Sequence, residues 1–196
     1  MAIYLVRHAE TDANASRVVQ RPDVGLSARG RGQAARLAAR LARAGIVRIR
    51  TSDLVRALET AEVLRAATGA PMDVDPDLAE RNFGDVRGTP YASLGTDLFA
   101  PDYEPPGGET WAEFHARVDG AWASVLRVAT ATPGHLAVVT HGLVCEAVLQ
   151  RYLGGADAAV ARWPNTAVTI VEPPATLRLL ACAMHLDDAS ADGGAV

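Results

Sequence analysis

Short apolar runs alternate with helix-like segments along this chain, and this alternation limits the folds that it can adopt. Five runs of strand length are rich in apolar residues, and they lie at 2–6, 46–50, 136–139, 166–171 and 177–183. Between them, apolar residues recur at helical spacing, at 27–44, 53–67, 111–129 and 143–153. Alternating strands and helices are typical of a sheet covered by helices on both faces. The sequence therefore predicts a three-layer α/β/α sandwich with a mostly parallel sheet.

Length and turn residues predict one domain with a loop region. The chain has 196 residues, within the range of a single domain, and we assign residues 1–186 to it. Within this domain, 78–108 is rich in Gly and Pro and lacks periodicity. Such a long irregular stretch inside a compact domain indicates a functional loop or lid. Residues 187–196 are predicted to be a flexible tail.

Composition excludes several classes of function. The net charge is -4, and all 19 basic side chains are arginines. A basic excess is typical of nucleic-acid binders, so nucleic acid is not an expected partner. Without lysine, neither a P-loop nor a Schiff-base mechanism is available. No signal peptide or membrane-spanning apolar stretch occurs, so we expect a cytoplasmic protein without a membrane partner. A homodimer is possible, and the sequence leaves the oligomeric state open.

Two histidines directly follow apolar runs. Arg7-His8 follows the first run, and Thr140-His141-Gly142 follows the run at 136–139. In open α/β sheets, ligands bind at the carboxyl ends of strands, so we expect both imidazoles to open into one crevice. The run at 46–50 leads to Arg56 near the first turn of the next helix, which the same argument brings to this crevice. Arginines and a helix N-terminus suit a phosphate.

His8 is the available nucleophile, because the chain has neither a GxSxG elbow nor a catalytic-cysteine context. If a backbone carbonyl held one N–H of a neutral imidazole, the other nitrogen could attack phosphorus. The leaving alkoxide then needs a proton, and Glu80, Asp85 and Glu109 are all candidate donors. Metal-ligand spacings are missing, and Arg7 would repel a cation. We therefore expect neither a metal nor another cofactor.

Together these motifs resemble the histidine phosphatase superfamily, the group related to cofactor-dependent phosphoglycerate mutases. Arg7-His8-Ala9-Glu10-Thr11 is similar to its Arg-His-Gly-Glu-Thr signature, and Thr140-His141-Gly142 is similar to its second histidine motif. Further similar segments lie at 26–34, 52–61, 78–88 and 106–109. The resemblance covers the chain from Ile3 to about Val171 and implies a phosphoglycerate mutase-like fold.

The resemblance also implies residue roles. His8 would be the phosphorylated nucleophile, and Glu80 would be the proton donor and then the base for the hydrolytic water. The implied phosphate pocket consists of Arg7, Asn14, Arg56 and His141.

Specificity is expected to depend on residues that differ from the family pattern or lie in the loop. Gln20-Arg21 stands where these phosphatases often have Gln-Gly. Arg21 is predicted to add positive charge at the pocket mouth and favour a second anionic group, with a solvent-facing arginine as the alternative. Tyr91 is a candidate for lining the pocket, with packing under the lid as its alternative.

The short chain and its acid-bearing segment resemble the small phosphatases of the family. We therefore predict a metal-independent phosphatase that hydrolyses a small phosphomonoester through phosphohistidine. Phosphoglycerate mutase-type phosphoryl transfer and a non-catalytic phosphate-binding regulator are the alternatives. The sequence leaves the physiological substrate open.

Overall fold

A six-stranded sheet forms the centre of the protein in the computed structural model, which describes residues 1–154 and 163–187. Its strands are β1 (Ile3–Arg7), β2 (Ile46–Thr51), β3 (Met72–Val74), β4 (His135–Thr140), β5 (Val168–Glu172) and β6 (Thr176–Cys182). Their spatial order is β3-β2-β4-β1-β5-β6. The first four strands are mutually parallel, and β5 is antiparallel to both of its neighbours. The predicted α/β sandwich with a mostly parallel sheet is confirmed.

Within the described residues, five α-helices accompany the sheet. They are α1 (Asp12–Ala15), α2 (Ala28–Leu41), α3 (Val55–Thr68), α4 (Trp111–Ala131) and α5 (Gly142–Tyr152). Ser27 caps α2 by accepting a hydrogen bond from the Gly30 N–H at 2.9 Å, and Thr110 forms a capping box at the start of α4. Gly69 ends α3 in the left-handed conformation, with φ of 70°. No helix in the described ranges has the length and apolarity needed to span a membrane.

Alternating side chains of the central strands build a core on each face of the sheet. Leu5 and Val138 pack with α4 and α5, whereas Val6 and Val139 pack with α2 and α3. Successive side chains of a strand point to opposite faces, so each central strand must be apolar throughout. This requirement explains the continuous apolar runs in the sequence and leaves polar residues to the strand ends.

Short elements account for the differences from the predicted pattern. The three-residue strand β3 was not predicted; it pairs only with β2, at the edge of the sheet, and is too short for a periodic signal. Helix α1 was also missed, because its four residues depend on a local capping box between Thr11 and Asn14. β5 was predicted from Thr166 but begins at Val168. Thr166 has φ of 56°, which interrupts extended backbone.

The predicted irregular region, 78–108, contains no α-helix or β-strand. A buried arginine, Arg81, ties this region together by donating to the carbonyls of Leu98 at 3.3 Å and Tyr103 at 2.6 Å. Its guanidinium also lies 3.9 Å from the centre of the Trp111 ring. A single domain and a lid function stay predictions. Of the predicted tail, 187–196, only Asp187 belongs to the described residues.

Candidate active site

The two histidines are adjacent because their strands are neighbours. β1 and β4 pair in parallel with Arg7 opposite Thr140, so His8 and His141 leave the sheet at the same edge. The His8 N–H donates to the Thr140 carbonyl at 2.8 Å. The ring centroids of the two imidazoles are 5.1 Å apart, and both residues are at most 1% exposed. The topology thus creates a buried pair of imidazoles.

A cavity of about 940 Å³ opens at this edge of the sheet. It is lined by seven of the predicted site residues, namely Arg7, His8, Asn14, Gln20, Arg56, Glu80 and Tyr91. His141 is buried beside His8. Arg21 is the exception, because its guanidinium lies against Gly88 and is not part of the cavity lining. This position does not support a direct charge of Arg21 at the pocket mouth.

Hydrogen bonding fixes the protonation pattern of His8. Its Nδ1 lies 2.7 Å from the Ala9 carbonyl oxygen. Because a carbonyl oxygen only accepts, Nδ1 carries the proton, and Nε2 of a neutral ring keeps its lone pair. Burial, followed by the charges of Arg56 and Arg7, holds the pKa of His8 well below its ordinary value. The ring is therefore neutral at neutral pH, with a nucleophilic nitrogen available.

His141 contacts a serine hydroxyl through one of its ring nitrogens. Its Nε2 lies 2.9 Å from the Ser52 hydroxyl, and this hydroxyl also accepts from the Leu54 N–H at 3.2 Å. Burial, then Arg56 and His8, keeps the pKa of His141 well below its ordinary value. The Ser52 hydroxyl has one proton, and its two possible acceptors are His141 Nε2 at 2.9 Å and Asp53 Oδ1 at 3.5 Å. When the proton goes to the closer Nε2, the single proton of the neutral His141 ring is on Nδ1. Nδ1 is buried and has no hydrogen-bond partner within the described part of the chain.

Two arginines supply positive charge next to the imidazoles. Arg56 is only 2% exposed, and its Nη1 donates to the Arg21 carbonyl at 3.1 Å. Its Nε is buried without a partner in residues 1–154 and 163–187. Burial lowers the pKa of Arg56 to about 10, so the guanidinium stays charged at neutral pH. Arg7 is anchored through its Nη1, which donates to the Trp163 carbonyl.

Glu80 is the candidate acid that faces this cavity. Its carboxylate accepts from the N–H groups of Arg81 at 3.1 Å and Leu143 at 3.3 Å. Burial raises the pKa of Glu80, and the charge of Arg56 only partly opposes the shift. A raised pKa keeps a fraction of the carboxyl protonated at higher pH, as a general acid requires.

The other two candidate acids are placed differently. Glu109 forms an ion pair with Arg117 at 2.7 Å. Burial alone would raise the pKa of Glu109, but hydrogen bonds from Arg117 and Asn82 lower it overall. Asp85 lies next to Gly107, outside the cavity lining. Of the three acids that the sequence left open, only Glu80 lines this cavity.

The sequence analysis gave no role to several residues that hold the His8 loop, the segment 8–10 that follows β1. The Thr60 hydroxyl accepts from the Ala9 N–H at 3.0 Å, and the Gln33 side chain accepts from the Glu10 N–H at 2.9 Å. The Asn165 amide donates to the His8 carbonyl at 3.0 Å. Thr60 and Gln33 lie in family-like segments, which is the signal that could have identified them. No local pattern marks Asn165.

Arg117 positions the segment that carries Glu80. Its Nη1 donates to the carbonyls of Asp77 and Ala79, at 2.8 Å each. The Thr140 hydroxyl donates to the Leu78 carbonyl at 2.6 Å from the other side. Glu80 is thus fixed by contacts to both α4 and the end of β4.

Gly30 is required by the close approach of α2 to the His8 loop. A Cβ atom at this position would lie 1.9 Å from the backbone oxygen of Glu10. We therefore expect Gly30→Ala to lower the free energy of unfolding by about 1–3 kcal/mol and to lower activity by displacing the loop. Gly32→Ala is the matched control, because a Cβ at Gly32 meets nothing within 4 Å. Thermal unfolding of both variants tests this: similar midpoints would contradict the expectation.

The carboxyl ends of the parallel strands thus bring together two buried imidazoles and two arginines, and Glu80 lines the same cavity. Residues 3–180 match the histidine phosphatase superfamily (branch 1). The chain belongs to this family. Within residues 1–154 and 163–187, no group of three or more His, Cys, Asp or Glu side chains could hold a metal ion.

Relatives and solved structures of this family include both phosphatases and mutases. The chain is 35% identical over 166 residues to the probable phosphoglycerate mutase GpmB of Proteus mirabilis, covering 79% of this chain and 75% of the relative. A mycobacterial glucosyl-3-phosphoglycerate phosphatase, solved with VO3, is 28% identical with a TM-score of 0.74, covering 87% of this chain and 90% of that chain. A phosphoglycerate mutase from Thermus thermophilus is 29% identical with a TM-score of 0.70, covering 91% of this chain and 97% of that chain.

Proposed function

We propose that this protein is a metal-independent phosphatase that hydrolyses a small phosphomonoester through a phosphohistidine on Nε2 of His8. The observation that carries the proposal is the hydrogen bond between His8 Nδ1 and the Ala9 carbonyl. It leaves Nε2 unprotonated in a residue that lines the cavity. The proposal includes a cytoplasmic location and a small-molecule partner, with neither nucleic acid nor membrane.

In the first step, the Nε2 lone pair attacks phosphorus as the bond between phosphorus and the leaving oxygen breaks. Protonated Glu80 gives its proton to that oxygen, which departs as an alcohol. In the second step, the Glu80 carboxylate takes a proton from water as the water oxygen attacks phosphorus. The P–N bond breaks, its electron pair returns to Nε2, and inorganic phosphate leaves with Glu80 protonated again.

Unpartnered donors support the placement of the phosphoryl group. Arg56 Nε and His141 Nδ1 are buried without hydrogen-bond partners in the described part of the chain, and such a group costs about 1–3 kcal/mol. Phosphoryl oxygens would accept from both. The guanidinium charges of Arg7 and Arg56 match the charge of about -1.5 to -2 on a phosphate monoester. Asn14, another lining residue, would add a further contact.

Trapping the intermediate tests this mechanism. Acid decomposes a phosphohistidine in the denatured protein, whereas alkali preserves it. A phosphoserine behaves in the opposite way. We expect a labelled aryl phosphate to leave base-stable, acid-labile label on the protein during turnover, with hydrolysis unchanged by EDTA. Loss of hydrolysis in EDTA, or acid-stable label, would overturn the proposed mechanism.

Phosphoglycerate mutase-type transfer is the second candidate, favoured by the similarity to the Proteus mirabilis relative. The two activities differ in the acceptor of the phosphoryl group, which is water in the phosphatase and a hydroxyl of phosphoglycerate in the mutase. Turnover in ¹⁸O-labelled water distinguishes them, because only hydrolysis releases labelled inorganic phosphate. Transfer between the hydroxyls of phosphoglycerate without release would replace the phosphatase proposal. Tight phosphate binding without either reaction would indicate the non-catalytic regulator.

A further inference from the structure

The cavity continues from the phosphate end along one face of α5. Five residues of this helix line it: Gly142 at its start, followed by Leu143, Glu146, Ala147 and Gln150. Their spacing is that of a single helix face. The Leu143 N–H contacts the Glu80 carboxylate, so this end of the row adjoins the catalytic acid. At 1.5 Å per residue, Gln150 lies about 10 Å further along the axis.

His115 from α4 also lines this cavity. Its ring stacks on Trp111, with centroids 5.7 Å apart and an angle of 28° between the rings. Trp111 is itself fixed by its indole N–H, which donates to the Ala100 carbonyl at 2.8 Å. Burial, followed by the charge of Arg151, lowers the pKa of His115. A neutral, oriented imidazole therefore faces the cavity with one donor and one acceptor nitrogen.

Among the described residues, Glu146 is the only acidic side chain besides Glu80 that lines this cavity. It accepts one hydrogen bond, from the Gln150 amide at 3.1 Å. No ion pair connects it to a cation in the described ranges, whereas the neighbouring Arg151 is paired with Asp119 at 2.5 Å. Glu146 thus keeps acceptor capacity for a ligand.

Five arginines line the cavity, namely Arg7, Arg17, Arg56, Arg81 and Arg87, and Glu80 and Glu146 are the acidic side chains among its described lining residues. Arg7 and Arg56 lie at the phosphate end, and the carboxylate of Glu146 lies one helical turn beyond Leu143. We propose that Glu146, Gln150 and His115 form a leaving-group subsite for hydrogen-bond donors. It would take a hydroxyl or ammonium group of an extended phosphomonoester and disfavour a carboxylate. This inference deepens the proposed phosphatase function and rests on it.

Phosphate monoesters of six-carbon alcohols that differ only in their terminal group test the subsite. The terminal groups are methyl, hydroxyl, ammonium and carboxylate. A hydrogen bond to a charged group in a partly solvated site corresponds to about tenfold in affinity. We expect kcat/KM for the ammonium ester to exceed that for the carboxylate ester at least about tenfold. Glu146→Gln should bring this ratio close to one, and Glu146→Arg should reverse it.

Glu62→Gln is the matched control. It changes the net charge by the same amount as Glu146→Gln, but Glu62 lies on α3, about half exposed and paired with Arg65. The ammonium-to-carboxylate ratio should not change in this variant. If the esters are hydrolysed but the ammonium-to-carboxylate ratio of kcat/KM is the same in the wild type and in Glu146→Gln, the subsite proposal is overturned and the proposed phosphatase function is not.

Calorimetric binding of the matching phosphonates, which cannot be hydrolysed at the P–C bond, separates the subsite from the chemistry. If no ester is hydrolysed, the proposed function fails, and the phosphonate affinities alone decide about the subsite. A Glu146-dependent preference for ammonium or hydroxyl over carboxylate would support it, and equal affinities would overturn it. If the ammonium phosphonate binds more tightly than the hydroxyl phosphonate, the leaving group carries an amine. If the hydroxyl phosphonate binds equally or more tightly, the leaving group carries a hydroxyl.

Discussion

His8→Asn is expected to lower kcat/KM by a factor on the order of 10⁴ to 10⁶, because it removes the nucleophile while keeping the local hydrogen bond. Asparagine can place its amide nitrogen near the position of the imidazole Nδ1, which lies 2.7 Å from the Ala9 carbonyl. No atom replaces the lone pair of Nε2. The variant therefore separates the chemical role of His8 from its structural role more cleanly than alanine does.

The measurement combines steady-state hydrolysis of an aryl phosphate with binding of inorganic phosphate. His8→Asn should still bind phosphate, because Arg7 and Arg56 are unchanged, and should carry no base-stable label after turnover. His8→Ala should be equally inactive but less stable, since it leaves a gap in a residue that is 1% exposed. Hydrolysis by His8→Asn within about tenfold of the wild type would rule out His8 as the nucleophile.

The sequence predicted the histidine pair because strand ends are easy to recognise. Apolar runs mark β1 and β4, and the residues after them must lie at the carboxyl edge of the sheet. That argument placed His8 and His141 near each other, and the pairing of Arg7 with Thr140 makes them neighbours. The same reasoning could not choose between Glu80, Asp85 and Glu109. Their positions depend on an irregular region with no periodic signal.

The contacts that hold Glu80 in its position come from residues distant in the chain. Arg117 on α4 holds the carbonyls of Asp77 and Ala79, 38 or more positions away in the sequence. Likewise, the place of Arg21 in a motif predicted a positive charge at the pocket mouth. Its guanidinium instead lies against Gly88, where the segments around Val18 and Pro90 pair as a β-bridge. Such long-range contacts are decided by packing, so a motif cannot show them.

Burial prepares His8 and Glu80 in opposite senses for the same reaction. Removing water disfavours the charged form of each group, so the pKa of His8 falls and that of Glu80 rises. The imidazole is therefore neutral, as a nucleophile must be, and a fraction of the carboxyl group is protonated, as an acid must be. Activity should decline as pH falls through the lowered pKa of His8. It should also decline as pH rises through the raised pKa of Glu80.

Glu80→Gln is expected to slow the cleavage of alkyl phosphates by about 10²- to 10⁴-fold, because an alkoxide is a poor leaving group without a proton donor. Nitrophenolate needs no proton to depart, so formation of the phosphoenzyme from nitrophenyl phosphate should be much less affected. Its breakdown should nevertheless be slow, because the base that activates water is also gone. Rapid mixing should therefore show a burst of nitrophenolate close to one equivalent per active site, followed by slow turnover.

The pH profile gives an independent test of the same residue. In the wild type, kcat/KM for an alkyl ester should fall at alkaline pH as Glu80 loses its proton, whereas in Glu80→Gln this alkaline decline should disappear. The decline at acid pH should remain, since it belongs to His8. If Glu80→Gln keeps the alkaline decline and slows alkyl and nitrophenyl esters equally, another group donates the proton. Glu80 would then contribute to the site through its hydrogen bonds to the Arg81 and Leu143 N–H groups.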